Sequence, residues 1–123
     1  MQTKCFGDWK KTASYLTSNN TFSNNICYNA EYGVVSFGNV QNVSVVNNTI
    51  DTLTYGIYSA GDYGRFINNT ITSNDGIALV GSTYNIVNNN TLLDNTHDGI
   101  ALMTDSDNNT ITNNNFNNSE TDI

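Results

Sequence analysis

Asp75 and Asp98 each stand immediately before a Gly-Ile pair, 23 residues apart. If the fold stacks these two positions, their carboxylates face one another. Such a pair could hold Ca²⁺, which takes oxygen ligands, with Asn74 or Asp94 assisting. Carboxylates that close could also separate their pKa values and work as an acid/base pair. The commonplace role of Asp and Asn in such places is to cap turns, and that reading carries more weight. His97 is the single histidine and adjoins Asp98, which suggests a general base and its partner. Adjacent strand residues point to opposite faces, however, and no nucleophile accompanies the pair. His97 is therefore expected to be an exposed turn residue. No catalytic residue is assigned, no enzymatic activity is expected, and calcium at Asp75 and Asp98 is the one cofactor considered.

Other residues offer binding rather than catalysis. Tyr32, Tyr55, Tyr58, Tyr63 and Tyr84 could form an outward aromatic surface, with Tyr55, Tyr58 and Tyr63 its centre. Aromatic faces stack on sugar rings, and they also serve as contacts between subunits. Seven Asn-x-Ser/Thr sequons are present, beginning at Asn19, Asn42, Asn47, Asn68, Asn89, Asn108 and Asn117. Such sequons accept N-glycans on exported chains.

What must position these residues is a phrase of apolar, any, Asn, Asn, any, apolar. It reads Phe22-Ser-Asn24-Asn25-Ile-Cys27, Val45-Val-Asn47-Asn48-Thr-Ile50 and Phe66-Ile-Asn68-Asn69-Thr-Ile71. A fourth copy, read from Ile86 to Leu92, carries one extra residue, and a fifth runs from Ile111 to Phe116. A recurring period in the low twenties marks a repeat architecture. About seven residues beyond each phrase lies a second apolar run, at Gly33-Val34, Gly56-Ile57, Gly76-Ile77 and Gly99-Ile100. Alternation in these runs is that of strands, and turn residues separate them. Each period thus holds three short strands, which is one coil of a parallel β-helix. Asn suits its tight corner because it tolerates the left-handed conformation. Stacked coils, about 4.8 Å apart, would join equivalent amides into an Asn ladder.

The repeat predicts an all-β fold, a single-stranded right-handed parallel β-helix of about five three-strand coils. Residues 1–21 fit it least and are read as an irregular first coil or N-terminal cap, with coils over 22–123 and no cap at Ile123. One step of 22 residues back from Cys27 falls on Cys5. Stacked in one column, the two Cα atoms would lie within disulfide range. A Cys5–Cys27 bridge is expected, and with it an oxidising compartment. Corner sequons would hold inward amides, leaving Asn19, Asn42 and Asn117 as the better glycosylation candidates.

The net charge of −7 disfavours nucleic acid, which needs a basic surface, and docking to an anionic membrane. No apolar run is long enough for a transmembrane helix.

The phrases Asn68-Asn-Thr-Ile-Thr-Ser-Asn-Asp-Gly-Ile-Ala-Leu79 and Asp98-Gly-Ile-Ala-Leu-Met103 resemble right-handed parallel β-helix repeats of the pectin-lyase-like superfold. That group includes polysaccharide lyases and hydrolases, tailspikes, surface adhesins and periplasmic carbohydrate-binding repeat proteins. The resemblance implies extracellular or cell-surface life and contact with glycans. The clustered Asp pairs and lyase Arg/Lys sets of its enzymes are absent, and Arg65 is the single Arg. The expected function is a structural surface solenoid that associates with itself through its ends, as a filament subunit or adhesin stalk. The alternative is a carbohydrate-binding or polysaccharide-processing β-helix.

Overall fold

The structure is a computed structural model that describes residues 5–6 and 14–117. The expected cap or first coil over 1–21 lies partly outside these residues, and the open end at Ile123 lies wholly outside them. Every strand pairing among the described residues is parallel. The fold is a parallel β-solenoid.

One face is a sheet of five three-residue strands, Thr21–Ser23, Ser44–Val46, Arg65–Ile67, Ile86–Asn88 and Thr110–Thr112. A second sheet of nine strands covers the other two faces. It does so because Ile26–Ser36 and Thr49–Ser59 run round the corner without a break. Later coils split that span, into Thr70–Thr72 and Asp75–Val80, and into Thr91–Leu93 and Ile100–Met103. Cys5–Phe6 and Ser14–Tyr15 pair with the two ends of Ile26–Ser36.

Four full turns separate Phe22 in the first layer from Ile111 in the fifth, through Val45, Phe66 and Val87. This count of about four turns differs slightly from the five coils expected. The register also corrects the fourth phrase. Val87, not Ile86, pairs with Phe66 and Ile111, so Val87-Asn88-Asn89-Asn90-Thr91-Leu92 has the standard length and no extra residue.

The core is a stack of apolar side chains, one from each face in each layer. Phe22, Val45, Phe66 and Val87 fill one column; Cys27, Ile50, Ile71 and Leu92 the next; Val34, Ile57, Ile77 and Ile100 the third. All are essentially inaccessible to water, which is where the hydrophobic stabilisation of so slender a body arises.

The two asparagines of each phrase have separate tasks. The first takes the left-handed conformation, with φ of 57°, 58°, 57°, 55° and 55° at Asn24, Asn47, Asn68, Asn89 and Asn113. The second points inward and forms the ladder. Asn48 donates its backbone N–H and its Nδ2 to Asn69 Oδ1, both at 3.0 Å. Asn69 does the same to Asn90, and Asn90 to Asn114. Each Nδ2 also donates to the carbonyl of a core residue one layer back, as from Asn69 to Val45 at 2.8 Å. Every polar atom of the buried amide is thereby satisfied.

A second, shorter ladder occupies the opposite corner. Asn109 Oδ1 accepts from the backbone N–H and Nδ2 of Asn85, at 2.8 and 3.0 Å, and Asn85 Oδ1 accepts from Gly64 N–H at 2.6 Å. The residues before this column, Asn19, Asn42, Tyr63, Tyr84 and Asn108, are all left-handed.

Candidate functional site

The glycine just ahead of each third-column core residue (Val34, Ile57, Ile77 and Ile100) explains where the site residues fall. A Cβ on Gly33 would lie 2.3 Å from the Gly56 carbonyl oxygen, and one on Gly76 would lie 2.4 Å from that of Gly99. Only glycine fits so close an approach between coils. The residue ahead of each glycine forms an adjoining column down the solenoid: Tyr32, Tyr55, Asp75 and Asp98. Tyr32 pairs with Tyr55 and Tyr55 with Asp75, while Gly76 N–H donates to the Asp98 carbonyl at 2.8 Å. Two aromatic residues are followed by two carboxylates on one ladder.

The aromatic half is a cradle. Tyr32 and Tyr55 stack at 5.8 Å between centroids with 13° between planes, and Tyr58 meets Tyr55 edge-on at 5.3 Å. Phe37 lies 5.7 Å from Tyr58 and 5.8 Å from Tyr15. With Val35 as floor, these five rings line an open concavity of about 370 Å³. Tyr15 and Phe37 are more than half exposed, at 64% and 57%. Burial, then the charge of Glu31 and a hydrogen bond with it, raises the Tyr32 phenol above its ordinary value. Burial first, and the Asp75 charge second, does the same for Tyr55.

The acidic half includes an unexpected member. His97 Nδ1 lies 2.7 Å from Asp75 Oδ1 and 3.2 Å from Asp98 Oδ2. Asp75 Oδ1 also accepts the Asp98 backbone N–H at 3.1 Å. The three side chains offer one nitrogen and two oxygens, all within 4.8 Å of one another. His97 is exposed, as expected, but the opposite-faces argument does not hold for it. His97 lies on a bend ahead of the strand Ile100–Met103, where alternation does not govern direction. Its backbone N–H donates to the Asn74 carbonyl at 3.0 Å, and Thr96 Oγ1 donates to Asn74 Oδ1. Asn95 Nδ2 donates to the Ser73 carbonyl at 2.9 Å. These bonds clip the loop to the coil above and aim the imidazole at Asp75. The imidazole also alters the donor set on which calcium was considered, since a hard cation prefers oxygen alone.

The remaining expected residues are placed as follows. Tyr63 is apart from the cradle, at the second Asn corner, stacked on Tyr84 at 5.3 Å and 7°. Tyr15 and Phe37 were not anticipated. Phe37 could have been read from parity, two residues beyond the outward Val35. Asn19 and Asn42 lie at a repeat corner, not off it, and Asn42 Nδ2 donates to Asn19 Oδ1 at 3.3 Å. The sequon asparagines at the other corner, Asn47, Asn68 and Asn89, are exposed. The inward amide belongs to the next residue, so burial does not remove these three from the glycosylation candidates. Asn117 is exposed in the strand Asn115–Asn117. Cys27 is disulfide-bonded and in backbone register with Cys5, whose side chain lies outside the described residues.

Fold and repeat define a parallel β-helix with Asn ladders and a column of two tyrosines followed by two aspartates. Residues 9–122 match the family described as NosD, periplasmic copper-binding protein, and this chain belongs to that family. No curated protein and no solved structure gives a significant match. Copper can be tested against the residues present. The sulfur of Cys27 is engaged in a disulfide and offers no thiolate for Cu(I). One imidazole with two carboxylates suits Cu(II), for which nitrogen and oxygen donors are appropriate. Among the described His, Cys, Asp and Glu residues, Asp75, His97 and Asp98 are the group that fits.

Proposed function

We propose that this chain is an extracytoplasmic β-helix module that binds carbohydrate on its aromatic cradle. The observation that carries the reading is the cradle of Tyr15, Tyr32, Phe37, Tyr55 and Tyr58 around one open concavity. Sugar rings present flat C–H faces that stack on aromatic rings, while phenol hydroxyls at the rim can bond the sugar hydroxyls. Four of the rings sit on strands held by the core and Phe37 directly follows one, so little ordering is required on binding, and preorganisation favours affinity. An envelope location agrees with a family described as periplasmic and with a disulfide-bonded Cys27.

The solenoid acts in this reading as the rigid frame that presents the face. We read the face as one that binds without turnover. The test is a glycan array followed by calorimetric titration of the best ligand. Saturable binding that falls about tenfold, or about 1.4 kcal/mol, on Tyr55→Ala and on Tyr58→Ala supports the proposal. No binding to any neutral or acidic glycan by a folded chain overturns it. Concentration-dependent dimerisation abolished by Tyr58→Ala would assign the cradle to self-association instead.

A further inference from the structure

We propose that Asp75, His97 and Asp98 form a binding site for one divalent transition-metal ion of the copper(II) class. The site draws its ligands from two successive coils. Asp75 comes from one, and His97 and Asp98 from the next. Their donor atoms converge within 4.8 Å, so bringing them to one ion requires side-chain adjustment and no movement of the coils.

Charge gives a second reason. The Asp75 side chain is only 9% exposed and that of Asp98 only 22%. Two carboxylates held near each other and largely shielded from water are stabilised by a compensating cation. Among the described residues His97 is the one ion-pair partner of either. It supplies at most one positive charge against two negative ones, and only when protonated. A divalent ion neutralises both carboxylates and accepts the imidazole as a third ligand.

The donors also select the metal. Calcium is bound by six to eight oxygens, whereas an imidazole nitrogen beside carboxylates suits copper(II), nickel and zinc, with copper(II) at the top of the affinity order. Binding through Nδ1 requires that nitrogen to be unprotonated. His97 is 65% exposed, so the ion has a direct path from solvent. The description of the family as copper-binding agrees with this choice but names no residues.

The experiment is titration of the tag-free chain with CuCl₂, read by calorimetry and by electron paramagnetic resonance, with CaCl₂ and ZnCl₂ as comparators. The expected result is one copper equivalent whose spectrum shows coupling to a single imidazole nitrogen. Copper should bind more tightly than zinc, and calcium should not compete. His97→Ala should abolish the nitrogen coupling, and Asp75→Asn should weaken binding roughly tenfold or more. Asp98→Asn gives an independent reading should Asp75→Asn fail to fold, and circular dichroism verifies each variant. Absence of stoichiometric copper binding, or binding unchanged by His97→Ala in a folded chain, overturns the proposal. Calcium binding that displaces copper overturns it as well.

Discussion

Tyr55 and Asp75 are direct partners on adjacent strands, so an aromatic ring and a carboxylate share one ladder where cradle and acidic cluster meet. Burial and then the Asp75 charge raise the Tyr55 phenol. Burial and then Glu31 raise that of Tyr32. A group with a raised folded pKa contributes stability that is complete below its unfolded value and is lost as pH rises through the folded value. For tyrosine the unfolded value is about 10. The contribution of these two phenols is therefore fully present at neutral pH, and stability is expected to fall above about pH 10. Phenolate absorbance should show a late-titrating component that Tyr32→Phe and Tyr55→Phe remove. A single unshifted transition for all tyrosines would contradict the assignment.

Asn69 and Asn68 are neighbours with opposite expected sensitivities. Truncating Asn69 to Ala removes the acceptor of Asn48 N–H and the donor to the Val45 carbonyl, and both groups are buried. Two unsatisfied backbone groups cost about 2–5 kcal/mol together. Asn68 is exposed and left-handed, with φ 57°. Asn68→Ala should cost only about 1 kcal/mol, and Asn68→Gly less. Urea unfolding of the three variants measures the order, and equal losses at the two positions would refute the division of roles.

Much of this was legible because the repeat writes its geometry into spacing. Flanking apolar residues at constant phase located the core, and paired asparagines located a corner. Which Asn turns inward was not legible, since both tolerate the corner and only the hydrogen bonds distinguish them. At Ile86-Val87 two adjacent apolar residues and three asparagines admitted two registers, and pairing with Phe66 selects one. The second ladder was hidden because its column reads Asn20, Val43, Gly64, Asn85, Asn109, where Val and Gly interrupt the asparagines. His97 was expected as an exposed turn residue, but its approach to Asp75 and Asp98 was missed because strand alternation was applied to a bend. The cradle was visible in part: Tyr32, Tyr55 and Tyr58 were named, whereas Tyr15 lies in the segment where the repeat is weakest.

The glycine column should tolerate no side chain. A Cβ on Gly56 would sit 2.2 Å from the Ile71 Cγ2 methyl and 2.7 Å from the Gly76 carbonyl oxygen. The carbonyl belongs to the ladder and cannot withdraw without breaking pairing. Gly56→Ala is expected to destabilise by about 1–3 kcal/mol, and by displacing the neighbouring Tyr55 it should weaken glycan binding too. Thermal denaturation with and without glycan checks both effects.

Cys5 and Cys27 stand in register on adjacent strands, and Cys27 is disulfide-bonded. A bridge closing the loop of about 22 residues should contribute roughly 3 kcal/mol, chiefly by restricting the unfolded chain. Reduction is expected to lower the melting temperature, and Cys27→Ser should reproduce that loss without further response to reductant. A folded native chain that releases two free thiols to Ellman's reagent would refute the bridge.

Tyr63 and Tyr84 present a strain that a double substitution can reveal. Both have φ of 58°, which costs an L-residue with a bulky side chain roughly 1 kcal/mol or more. Equivalent corner positions hold Asn19, Asn42 and Asn108, which bear this conformation more easily. The compensating interaction is one exposed ring stack at 5.3 Å, worth about 1 kcal/mol. Tyr63→Asn relieves one strained residue and forfeits the stack, so its net effect should be near zero. Tyr84→Asn in that background relieves the second with no stack left to lose. The double variant should thus exceed the parent by about 1 kcal/mol, although each single variant is near neutral. A melting-temperature cycle of the four proteins checks this, and a double variant less stable than the parent would show that the stack outweighs the strain.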